Sequence, residues 1–80
     1  MGVKDAVVAR FVEIMAQRNM HPNELANLSG VTPSTVYSML DPRRKELTIN
    51  LIKKLCDGLE ITLGDFFGVP LFDNLEQEIK

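Results

Sequence analysis

Met20-His-Pro-Asn-Glu-Leu-Ala-Asn-Leu-Ser-Gly-Val-Thr-Pro-Ser-Thr-Val-Tyr-Ser-Met-Leu40 reads as two short helical phrases joined by a tight turn. The first opens at His21-Pro22, with proline at the first helical position, where its missing N–H costs nothing. Glu24, three residues after His21, supplies the acidic half of a capping box. Leu25 and Ala26 point inward, and the phrase stops at Ser29-Gly30, where glycine takes the left-handed conformation that other residues resist. The second phrase opens with Thr32 as N-cap and Pro33 at N1, and runs on to Leu40. Val31, Val36 and Met39 are its inward positions. Two capped helices, about 22–29 and 33–40, around a glycine turn make a helix-turn-helix.

Working outward, Val7, Val8, Phe11, Ile14 and Met15 recur at helical spacing between Lys4 and Arg18, and Asn19 suits a left-handed cap. Asp41-Pro42 ends the helix that Thr32 starts, because a residue before proline is pushed out of the helical region. Arg43 to Leu47 is expected to be a short exposed loop. Thr48 then caps a fourth helix with Ile49, Ile52, Leu55, Cys56 and Leu59 inward, and Thr62 caps a fifth carrying Leu63, Phe66 and Phe67. Gly68-Val69-Pro70 breaks that helix. Beyond it, Phe72, Leu75 and Ile79 fall on one helical stripe, an amphipathic tail over 69–80. The tail packs on its own domain or offers a surface to a partner.

These residues carry a family resemblance. Glu24, Leu25, Ala26, Gly30, Val31, Thr32, Thr35 and Val36 resemble the Cro/repressor-type (Xre-like) helix-turn-helix pattern. The likeness continues through Ile49, Ile52, Leu55, Leu59, Ile61, Thr62, Leu63, Asp65 and Phe66, and covers about residues 7 to 67. It implies an all-α, compact five-helix lambda-repressor-like DNA-binding domain over 1–68, followed by the short C-terminal tail. It also implies a sequence-specific regulator of double-stranded DNA, repressor-like, with its third helix in the major groove. Family members often carry glycine where Glu60 stands, so Glu60 is expected at positive φ. Many pair an arginine of helix one with a glutamate ending helix three. Met15 and Leu40 occupy those positions, so an apolar pair is expected to replace a buried salt bridge.

Carried over by position, Pro33, Ser34, Tyr37 and Ser38 face base edges, and Pro33 or the Thr35 methyl meets a thymine methyl. Thr32 and Ser34 approach phosphate at the helix start. Arg43, Arg44 and Lys45 reach the neighbouring backbone. The glutamine, arginine or lysine common at base-reading positions is absent, and Pro22 replaces the glutamine that often opens helix two. Specificity then rests on Tyr37, on shape and on water, although Tyr37 also suits a place on the domain surface. The alternative reading is a protein-interaction module, such as a toxin-neutralising subunit, that kept the fold and lost most DNA affinity.

Composition sets the outer bounds. Eighty residues, 45% of them hydrophobic and 25% charged, make one ordinary globular domain. One cysteine and one histidine exclude an internal disulfide and a structural zinc site. No catalytic pairing or phosphate loop stands out, so no enzyme, cofactor, metal or small-molecule ligand is expected. With no apolar run long enough to span a membrane and no signal-peptide core, the expected location is cytoplasmic. The net charge of −2 hides an asymmetry. Residues 1–56 hold eight bases and five acids, and residues 57–80 hold one base and six acids. A basic end suits DNA, and the last helix and tail (Phe66, Phe67, Phe72, Leu75, Ile79) are the expected homodimer surface.

Overall fold

The computed structural model describes residues 1–79, so the last residue of the 69–80 tail lies outside the described residues. Five α-helices follow in order: α1 Val3–Gln17, α2 Pro22–Ser29, α3 Pro33–Leu40, α4 Ile49–Gly58 and α5 Leu63–Phe67. A single 3-10 turn, Pro70–Phe72, comes last, and no strand occurs among the described residues. The fold is all-α, as the periodicity and the resemblance imply.

Local chemistry sets the helix starts. Threonine hydroxyls cap three of them: Thr32 Oγ1 accepts from Thr35 N–H at 3.3 Å, Thr48 Oγ1 from Leu51 N–H at 3.2 Å, and Thr62 Oγ1 from Asp65 N–H at 3.0 Å. Each such cap stabilises its helix by about 1 kcal/mol. At α2 the cap is His21, whose Nδ1 accepts from Asn23 N–H, while Glu24 Oε1 accepts from His21 N–H at 3.1 Å. Left-handed residues end three helices: Asn19 (φ 55°) after α1, Gly30 (φ 69°) after α2 and Glu60 (φ 59°) after α4. For Glu60 this conformation costs about 1–2 kcal/mol.

The core takes Phe11, Ile14 and Met15 from α1, Leu25 and Ala26 from α2, Val36 and Met39 from α3, Ile52, Leu55, Cys56 and Leu59 from around α4, and Phe66 from α5. Leu40 packs half-buried against the same core, which holds Met15, so both apolar replacements lie on the inner side. Ile49 departs from expectation. It is 58% exposed and lines a surface groove with Lys53 and Leu63. Leu51 and Ile52 take the inward places in that first turn instead.

The tail also departs from its helical reading. After the 3-10 turn the chain runs without helix, because a stripe this short cannot hold a helix unless something covers its apolar face. Phe72 turns back onto its own domain, with its ring 4.9 Å from Phe67 and 5.9 Å from Phe66. Phe66 in turn lies 4.4 Å from Phe11, giving a chain of tilted aromatic contacts that stabilise beyond their buried area. Glu76 N–H donates to Met1 O at 3.2 Å, and its carboxylate takes the N-terminal ammonium at 3.1 Å. Phe66, Phe67 and Phe72 thus contact one another inside one copy, Phe66 buried and Phe67 and Phe72 half-buried. Of the expected set, Leu75 is half-buried and Ile79, at 81% exposure, stands free.

Candidate functional site

Helix α3 buries Val36 and Met39 and turns its other face outward. Thr32, Pro33, Ser34 and Tyr37 are exposed, and Thr35 and Ser38 half-buried. Tyr37, at 48% exposure, projects from that open face and is not folded into the core. At the helix start the hydroxyls hold one another. Thr32 Oγ1 lies 3.0 Å from Ser34 Oγ and 2.9 Å from Thr35 Oγ1, besides accepting the capping bond. That arrangement fixes the rotamers of three polar side chains on the outward face.

A groove of about 390 Å³ runs beside them. Ser34, Thr35 and Ser38 line it together with Arg44, Glu46 and Thr48, and Met39, Leu47 and Leu51 give it an apolar component. The structure thus brings the helix residues and Arg44 together, though they lie in different elements. Arg43, Arg44 and Lys45 are all exposed. Arg43, whose side chain is 89% exposed, is tied to Asp41: its Nη2 donates to Oδ2 at 2.9 Å and its Nε to Oδ1 at 3.1 Å. Those hydrogen bonds hold the Asp41 carboxyl below its usual value of 3.8, with smaller contributions from Arg44 and Lys4.

Several cations serve other ends that the sequence reading did not find. Arg10 donates to the Phe66 and Asp65 carbonyls at 2.9 and 3.0 Å and pairs with Glu13. Arg18 donates to Leu59 O at 2.8 Å. Both satisfy carbonyls at helix ends, where positive charge is favoured. Lys53 pairs with Asp57 one turn along α4. Because their acceptors lie about forty or more residues away in sequence, no local pattern marks Arg10 and Arg18 as caps. Among the described residues no group of three or more histidine, cysteine or carboxylate side chains is placed to hold a metal, and no helix is long and apolar enough to cross a membrane.

The family model of the Cro/C1-type HTH DNA-binding domain matches residues 10–70. The chain belongs to that family. A solved structure described as the crystal structure of the prophage Lp1 protein 11 superimposes on this Cro/C1-type domain with a TM-score of 0.79 and 34% sequence identity. The match covers 94% of this chain and all of the other. None of the curated proteins matches. In the Cro/C1-type domain described here, α2 and α3 are the two helices of the motif. The open α3 face, the groove and the arginine loop share one side of it through Arg44.

Proposed function

We propose that this Cro/C1-type domain is a sequence-specific, repressor-like transcriptional regulator that lays α3 in the major groove of double-stranded DNA. The observation that carries the reading is that Ser34, Thr35 and Ser38 share a groove with Arg44, with Thr32 hydrogen-bonded to Ser34 at its edge, on a helix whose outward face nothing covers among the described residues. Thr32 and Ser34, at the helix start, approach a phosphate that the α3 N-terminus also favours. Pro33, Thr35, Tyr37 and Ser38 meet base edges, and Arg43, Arg44 and Lys45 follow the adjoining backbone. The structural neighbour, 34% identical, is described as a prophage protein. Two copies on a near-palindromic site is the usual arrangement for such a motif. The pairing surface of this reading is the last helix and tail, Phe66, Phe67, Phe72, Leu75 and Ile79, of which Phe67, Phe72 and Leu75 are half-buried and Ile79 is exposed.

A second reading, an interaction module with weak DNA binding, is favoured by one observation. Pro33 donates no hydrogen bond, and the Thr32, Ser34 and Thr35 hydroxyls are already bonded to one another. Titration of the full chain with random duplex DNA, and with fragments from upstream of its own gene, at several salt concentrations, separates the two. Specific binding requires that Tyr37→Ala or Ser38→Ala change sequence preference by about 1–3 kcal/mol. Absence of salt-dependent binding at protein concentrations up to about 100 µM, the weak limit of typical non-specific affinity, would replace the regulator by the interaction module.

A further inference from the structure

More positive charge gathers at the end of α3 than the loop sequence alone supplies. Asp41 follows that helix directly, and three cationic residues converge on it. Its carboxylate accepts from the Arg43 backbone N–H at 2.9 Å as well as from the guanidinium. Its carbonyl oxygen accepts from the Arg44 backbone N–H at 3.1 Å and from Lys4 Nζ at 2.8 Å. Helix α1 thereby sets an ammonium next to a loop that begins 37 residues later in the chain. Asp41 and Glu46, which lines the groove with Arg44, stand against Lys4, Arg43, Arg44 and the exposed Lys45, so the cluster keeps two positive charges in excess.

Donors remain free there. An ammonium carries three N–H groups, and the Asp41 carbonyl takes one. Arg43 uses Nε and Nη2 on Asp41 and keeps Nη1, while the Arg44 side chain has no hydrogen-bond or ion-pair partner among the described residues. Elsewhere Arg10 and Arg18 spend their guanidinium groups on carbonyls and Lys53 is paired with Asp57. Unspent donors next to the α3 groove are therefore concentrated around Asp41, and Arg44 is the link, since it also lines that groove with Ser34 and Ser38.

We propose that Lys4, presented by α1, joins Arg43 and Arg44 as a contact to the phosphodiester backbone of duplex DNA. This inference rests on the proposed DNA-binding function and extends its surface to an element outside the helix-turn-helix. A lysine that only capped the α3 carbonyl would affect stability and leave the salt dependence of binding alone. A phosphate contact has a different signature: its loss lowers the slope of log K against log salt by about 0.9 and weakens every sequence alike.

The test is a fluorescence-anisotropy titration of the full chain with random duplex DNA over a range of salt. Wild type is compared with Lys4→Gln, Lys4→Met, Lys4→Arg and Arg44→Ala, each first shown to be folded by circular dichroism. Lys4→Gln and Lys4→Met should each lower the slope by about 0.9, and Lys4→Arg should restore it. The methionine variant keeps the apolar stem and serves if the glutamine variant does not fold. A wild-type slope in both neutral variants, with a reduced slope in Arg44→Ala, overturns the role of Lys4 and leaves the DNA-binding reading standing. No salt-dependent binding by wild type overturns both.

Discussion

Helices α2 and α4 pack tightly where Gly58, the last residue of α4, meets Ser29, the last of α2. A Cβ built on Gly58 would lie 2.2 Å from Ser29 Oγ and 3.0 Å from both Leu28 C and Ser29 Cα. The buried hydroxyl must leave its rotamer, at a cost of about 1 kcal/mol, and the two backbone atoms can move only if α2 shifts. Gly58→Ala should therefore incur an overpacking cost of about 1–3 kcal/mol, offset by about 0.4–1 kcal/mol from the lower entropy of the unfolded chain. The expected net loss is about 1–2 kcal/mol, or a fall in Tm of roughly 5–15 °C for a domain of this size. Ser29 supplies the control. Its buried Oγ has no hydrogen-bond partner among the described residues, so Ser29→Ala should be neutral or stabilising by up to about 1 kcal/mol. In that background the 2.2 Å conflict is gone, and Gly58→Ala should cost about 1 kcal/mol less, a coupling within the range for residues in contact. Urea unfolding of the four proteins, compared at constant m, measures the cycle. A Gly58→Ala variant as stable as wild type, or a coupling near zero, would refute this account of the α2–α4 contact.

Two further outcomes follow from the core. Phe72→Ala should lower stability by about 2 kcal/mol, roughly half the cost of deleting a fully buried phenylalanine; unchanged urea stability would mean that the tail does not pack on Phe66 and Phe67 as described. Burial pushes the Cys56 thiol from its ordinary 9.0 up to about 11, so its neutral form is favoured in the fold. The associated stabilisation is complete below pH 9.0 and is lost as pH rises through about 11, with a size of about 2–3 kcal/mol. The stability difference between wild type and Cys56→Ala, measured by urea unfolding from pH 8 to 11, should shrink accordingly; a flat difference would contradict it.

Helix starts and stops were legible because they are made within a few residues. Thr32, Thr48 and Thr62 each bond a backbone N–H three positions on, and Asn19, Gly30 and Glu60 are left-handed where the reading placed them. Proline at 22 and 33 and the Asp41-Pro42 break follow from covalent geometry. The open face of α3 was legible too, since burying Val36 and Met39 commits Ser34, Tyr37 and Ser38 to the opposite side of one short helix. The tail was not. Phe72, Leu75 and Ile79 fit a helical stripe, but periodicity does not say whether a neighbouring aromatic cluster will capture one of them first.

The sequence by itself determined the five helices, the N-caps of α2 to α5 and the face of α3 left open, because each depends on contacts within about four residues. Tertiary structure decided where the cations go. Arg10 and Arg18 reach carbonyls of α5 and α4, while Lys4 reaches Asp41. A charged side chain seeks whichever unpaired acceptor the packing brings near, and sequence distance has no bearing on that. The same packing turned Phe72 inward, because burying its ring against Phe66 and Phe67 gains more than leaving it on an exposed tail.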